Sequence, residues 1–117
     1  MDERLEQALD FSNFITTVNN QKRMIKESYF QSLLYFTQGG QFTITKELIT
    51  FVTFLVEKDN IKDIVLVDDN DIPVQISDLE FFLEEILSIY FETANKYYQS
   101  YIELSKNRDI GSLINND

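Results

Sequence analysis

Ile64-Val65-Leu66-Val67-Asp68-Asp69-Asn70-Asp71-Ile72-Pro73-Val74-Gln75-Ile76-Ser77-Asp78-Leu79-Glu80 is the stretch on which the fold turns. Two β-prone runs, Ile64 to Val67 and Ile72 to Ile76, flank four turn-forming residues, the pattern of an antiparallel hairpin. Pro73 has no N–H to donate, which predicts an edge or bulged second strand. Ser77 stands three residues before Glu80, the spacing of a capping box, and Ile76 with Phe81 forms the matching hydrophobic staple. A strand pair should therefore lead straight into a helix that starts at residue 78.

Beyond that start, Leu79, Leu83, Ile86, Tyr90, Ala94, Tyr97, Tyr101 and Leu104 continue one apolar stripe at helical spacing for about seven turns. On the other side, Leu5, Ala8, Phe11, Ile15, Val18, Ile25, Tyr29, Leu33 and Phe36 form a second such stripe, which predicts a helix over residues 2–37. Asn19-Asn20 is a point of poor helix propensity inside it, and Gly39-Gly40 should stop it. Residues 41–45 alternate polar and apolar and read as a strand. Lys46 to Lys58 is rich in β-branched and aromatic residues yet keeps helical spacing at Leu48, Val52 and Leu55; its length and a Thr45 N-cap favour helix over strand. Apolar nearly all round, it should be the buried centre. The expected architecture is α+β and mostly helical: two long antiparallel helices, a buried shorter helix and a small antiparallel sheet containing the hairpin. The expected organisation is one domain over residues 1–109 and a frayed or docked tail over 110–117.

The chain of 117 residues contains no cysteine, histidine or tryptophan, so thiolate and imidazole chemistry are excluded and any catalysis would rest on carboxylates, lysines or tyrosines. The formal net charge is -10, and it is concentrated. Residues 57–92 hold Glu57, Asp59, Asp63, Asp68, Asp69, Asp71, Asp78, Glu80, Glu84, Glu85 and Glu92 against only Lys58 and Lys62. A field of that sign repels phosphate backbones and anionic lipid, so neither nucleic acid nor membrane is an expected partner. No apolar run reaches the length of a membrane span, and Met1-Asp2-Glu3-Arg4 lacks the basic end of a secretory signal, so the expected location is the cytoplasm.

Asp68 to Asp71 offers oxygen ligands to a hard cation, but an EF-hand loop fails: its fifth place falls on Pro73 or Ile72. Asp78, Glu80, Glu84 and Glu85 invite a carboxylate site, yet acids in the first turns of a helix are equally what the helix dipole favours. Neither cofactor nor metal is expected. Tyr97-Tyr98 cannot both join one stripe, so one of them should face solvent, where tyrosine suits a protein contact. Lys22, Arg23 and Lys26 form the one basic cluster and suit an acidic surface, such as that of a second copy.

The opening Met1-Asp2-Glu3-Arg4-Leu5-Glu6, then Ala8-Leu9-Asp10-Phe11-Ser12-Asn13, Asn20-Gln21-Lys22-Arg23, the Gly39-Gly40 break and the acidic hairpin leading into Asp78-Leu79 resemble short uncharacterised proteins of T-even-like phages of marine cyanobacteria. The resemblance spans most of the chain and implies a protein made inside an infected bacterium, in the host cytoplasm; it supplies no activity and no functional residue.

These readings combine into an expected function: a non-enzymatic interaction or regulatory protein that presents an acidic surface to a basic protein partner, such as a host or phage nucleic-acid enzyme whose DNA channel the carboxylates imitate. The expected contact residues are Asp68, Asp69, Asp71, Asp78, Glu80, Glu84, Glu85 and Tyr98. The alternatives are a homo-oligomeric assembly protein and, after it, a carboxylate-dependent metal enzyme.

Overall fold

The computed structural model describes residues 2–59 and 62–115, with side chains as far as residue 106. The order of elements is α1 (Glu3–Ser32), β1 (Leu34–Thr37), β2 (Gly40–Thr43), α2 (Lys46–Glu57), β3 (Lys62–Val67), β4 (Pro73–Asp78) and α3 (Leu79–Asn115). The chain is α+β and mostly helical, with two separate two-stranded antiparallel sheets, β1-β2 and β3-β4. It divides into two compact units, one of residues 1–29 with 95–117 and one of residues 30–94.

The 30–94 unit holds both hairpins, α2 and the start of α3. Its core is Ile44, Val52, Ile76, Leu79 and Ile86, all essentially fully buried, with Phe42, Leu66, Val74 and Phe82 beside them. Leu66, Val74 and Ile76 are the inward members of the β3-β4 alternation, while Val65, Val67 and Gln75 face out. Phe82 joins the first hairpin to α3: its ring lies 5.3 Å from Phe42, edge-on, and 5.7 Å from Tyr35, and Tyr35 and Phe42 are opposite each other across β1-β2. Each such side chain contributes about 1.5–3 kcal/mol through burial. Gly40 touches Val74 so closely that a Cβ there would stand 2.7 Å from Val74 Cγ2.

Several expectations are corrected here. The helix predicted over residues 2–37 ends at Ser32, and Leu34–Thr37 is a strand. Gln38 and Gly39 both take positive φ, 49° and 82°, so the two form the tight turn that matches strand twist, and Leu34-Tyr35-Phe36-Thr37 gains a partner strand instead of another helical turn. Phe36, placed on the helical stripe by its spacing, is 68% exposed. Asn19-Asn20 does not interrupt α1. The strand expected at 41–45 spans Gly40–Thr43, after which Thr45 caps α2, its Oγ1 accepting from the Leu48 N–H at 3.1 Å. α2 is a helix, but it is not buried all round: Phe51 and Phe54 are exposed.

The start of α3 shifts by one residue. Ser77 is not the cap, because β4 runs on to Asp78 and Ser77 is held elsewhere, its N–H donating to Gln38 Oε1 at 3.2 Å and its Oγ accepting from Gln38 Nε2 at 2.8 Å. Asp78 caps instead, accepting from the Phe81 N–H at 3.1 Å, and the staple does not close, Phe81 being 56% exposed.

In the other unit, Val18 of α1 and Leu104 of α3 are buried, and the rings of Tyr29 and Tyr97 meet at 4.7 Å. Ile15, Lys22, Ile25 and Tyr97 are half-buried, but Leu5, Phe11 and Tyr101, counted in the stripes, are about half exposed. α3 keeps helical backbone through residue 115, where a frayed or docked tail is expected; residues 116 and 117 lie outside the described residues. No described helix is long and apolar enough to cross a membrane.

Candidate functional site

At the tip of the β3-β4 hairpin the carboxylates of Asp68 and Asp69 are occupied. Asp68 is 6% exposed. Its Oδ1 accepts from the N–H groups of Asn70 and Ile72, each at 2.9 Å, and its Oδ2 from the Gln41 N–H at 3.1 Å. The Asp68 N–H donates to the Ile72 carbonyl at 2.9 Å and the Asp71 N–H to the Asp68 carbonyl at 3.1 Å, closing the loop over the side chain. Asp69 turns outward to β2: Oδ1 accepts from the Thr43 N–H at 3.1 Å, and Oδ2 from Thr43 Oγ1 at 2.6 Å and Gln41 Nε2 at 3.4 Å. Its own N–H donates to the Gln41 carbonyl at 2.9 Å.

The register explains why β2 has these groups to offer. With a two-residue turn, Thr37 and Gly40 exchange the closing bonds, as do Tyr35 and Phe42 two places on; the backbone groups of Gln41 and Thr43 therefore point away from β1. Those are the groups that Asp68 and Asp69 engage. Asp68 and Asp69, both among the expected contact residues, are thus pins between two hairpins.

Hydrogen bonds from Gln41, first, and from Ile72 and Asn70 hold the Asp68 carboxyl below its ordinary value, against a smaller upward push from burial. The group binds its proton less readily folded than unfolded. Its stabilising contribution is therefore fully present above the unfolded value and disappears as pH falls through the lower folded one. From about pH 5 to 8 the contribution of Asp68 should not change with pH, and below about pH 4 the midpoint of thermal melts should fall; the slope below pH 4 should be shallower in Asp68→Asn.

The remaining expected contact residues scatter in their roles. Asp71 is exposed, with φ of 61° at the turn, and among the described residues its side chain makes no hydrogen bond. Asp78 is engaged as the α3 cap. Glu80 and Glu84, one turn apart, are exposed, and Glu85 is half-buried. Tyr98, at 66% exposure, is the outward member of Tyr97-Tyr98, and it belongs to the other unit. No group of three or more acidic side chains comes close enough to hold a metal ion among the described residues. An open cleft of about 460 Å³ beside the tip is lined by Phe36, Gln38, Gln41, Asp68, Asn70 and Ile72 among others, and Asp68, its buried acid, is already saturated with donors. The basic cluster lines a second cleft of about 360 Å³ with Ile25, Tyr97 and Tyr101, and there Arg23 pairs with Glu27 at 3.8 Å.

A feature that the sequence reading missed is apolar. Phe11, Phe30, Phe36, Phe51, Phe54, Phe81 and Phe91, seven of the ten phenylalanines, are more than half exposed. Helical spacing alone assigned Phe11 and Phe36 to the core, and the all-apolar character of α2 assigned Phe51 and Phe54 there. The signal in the sequence was the excess of phenylalanine over the core positions that so short a chain provides.

The chain matches no family model, no curated protein and no solved structure.

Proposed function

We infer that this chain is a protein-binding module without catalytic activity, whose acidic surface meets a basic partner. The observation that carries the reading is the exposure of Phe36, Phe51, Phe54, Phe81 and Phe91 in the 30–94 unit, on a chain of net charge -10: large exposed apolar groups suit a contact that a partner covers, and the net charge selects the sign of that partner. A nucleic-acid enzyme inside an infected bacterium, its DNA channel imitated by the carboxylates, fits this description. The acids available for the contact are Asp71, Glu80 and Glu84, since Asp68, Asp69 and Asp78 already hold backbone N–H groups. In this reading the unit of α1, laid antiparallel along the later part of α3, is a scaffold, with Tyr98 as a contact of its own.

Affinity capture with mass spectrometry should yield a basic protein. The triple variant Asp71→Asn, Glu80→Gln, Glu84→Gln should keep the fold and bind that protein roughly 3- to 30-fold more weakly, mostly through a slower and less salt-sensitive on-rate. Equal affinity and equal salt dependence of the two chains would remove the acidic surface from the account. The same exposed phenylalanines favour a second reading, self-association in an assembly role.

A further inference from the structure

α2 has two unlike sides. Val52 is fully buried and Leu48, Ile49, Leu55 and Val56 are half-buried, whereas Phe51 and Phe54 are 52% and 53% exposed. At 100° per residue, Glu47, Phe51, Phe54 and Lys58 fall within an arc of roughly 60°. Two rings therefore stand in the middle of an exposed stripe, with a carboxylate at its start and an ammonium at its end. Lys58 Nζ lies 5.7 Å from the centroid of the Phe54 ring, which places the amine over the same stripe. Such a helix has an apolar second face that no other described residue of this unit covers fully.

The order acid, ring, ring, base is its own complement when reversed. If a second helix is turned end for end about an axis passing between Val52 and Thr53, Phe51 of each copy meets Phe54 of the other, and Glu47 of each meets Lys58 of the other. We propose that two copies of this chain associate through α2 in this antiparallel, twofold arrangement. The same patch serves both copies, as a closed dimer requires. The rings supply the apolar centre, and the two Glu47–Lys58 pairs at the rim set direction and register. A parallel pairing would place like charges together at both ends. α2 is about 18 Å long, so the contact is smaller than that of a permanent dimer and the association is reversible. The proposal deepens the self-association reading and stands apart from the acidic-surface reading, which a monomer would leave intact.

Sedimentation equilibrium of the full chain from about 5 to 500 µM, in about 0.15 M salt to screen the net charge, should show a monomer–dimer equilibrium. Phe51→Ser with Phe54→Ser should abolish the dimer and leave the circular dichroism unchanged, both side chains being exposed. Glu47→Lys alone, or Lys58→Glu alone, sets like charges at both ends and should weaken the dimer roughly tenfold. Combining the two in one chain should restore it, and mixing the two single variants should give a mixed dimer tighter than either makes by itself. Within one chain Glu47 and Lys58 are about 16 Å apart along the helix, so this restoration has no intramolecular route. A monomer across the whole range, or a dimer indifferent to the phenylalanine substitutions or to the charge exchange, overturns the proposal.

Discussion

Asp68→Asn should lower the thermal midpoint by roughly 10 °C or more, while Asp71→Asn, three residues away, should leave it within about 2 °C. The contrast follows from what each carboxylate holds. Asp68 accepts three backbone N–H groups with two oxygens, from Gln41, Asn70 and Ile72. An asparagine offers one oxygen and sets its amide N–H₂ against a donor at the other position, so at least one buried N–H loses its partner. If Oδ1 is the oxygen retained, the bond to Gln41 fails and the two hairpins lose a pin; if the amide is flipped, the loop itself opens. Asp71 has no such duty. Differential scanning calorimetry of the two variants and the parent chain decides the matter, and equal midpoints would show that the tip is not a structural joint.

Gly40→Val should cost about 3 kcal/mol in chemical denaturation. A Cβ at Gly40 meets Val74 Cγ2 at 2.7 Å, Phe42 Cε2 at 3.2 Å and Val74 Cγ1 at 3.4 Å, and valine adds two further methyl groups in a place where neighbouring side chains are already buried. Gly39 is the control. Nothing lies within 4 Å of its Cβ position, and its φ is +82°, so Gly39→Ala strains the backbone alone and should cost about 1–2 kcal/mol. The two glycines therefore differ in mechanism, and a second substitution separates them: Val74→Ala should recover part of the loss caused by Gly40→Ala and none of that caused by Gly39→Ala.

The second hairpin and α2 were legible because their signals are local. The hairpin was written in two β-prone runs and four turn residues, and α2 in its Thr45 cap; both stand in the structure. What could not be read was decided by groups distant in the chain. Ser77 has every property of a cap, but Gln38, thirty-nine residues earlier, takes both its N–H and its hydroxyl, and Asp78 inherits the position. Leu34 to Thr37 continues a helical stripe acceptably, but a partner strand two residues further on outweighs that spacing, and one turn of helix is exchanged for a ladder. The structural part played by two of the expected contact residues was hidden for the same reason. In sequence Asp68 and Asp69 are two adjacent charges among eleven acids; only the neighbouring strand, with the N–H groups of Gln41 and Thr43 turned outward, reveals them as acceptors for particular donors.

The grip of Asp68 and Asp69 on β2 also bears on how the protein behaves in a crowded cell. A ribbon of two strands ends on each side in a row of open donors and acceptors, the template on which stray chains stack into fibrils. Along β2 the outward N–H groups of Gln41 and Thr43 are filled by the chain's own carboxylates, which no incoming strand displaces without stranding charge in a dry interface. Part of the acidity of this chain is thus a form of insulation, protecting a short, aromatic strand from being copied.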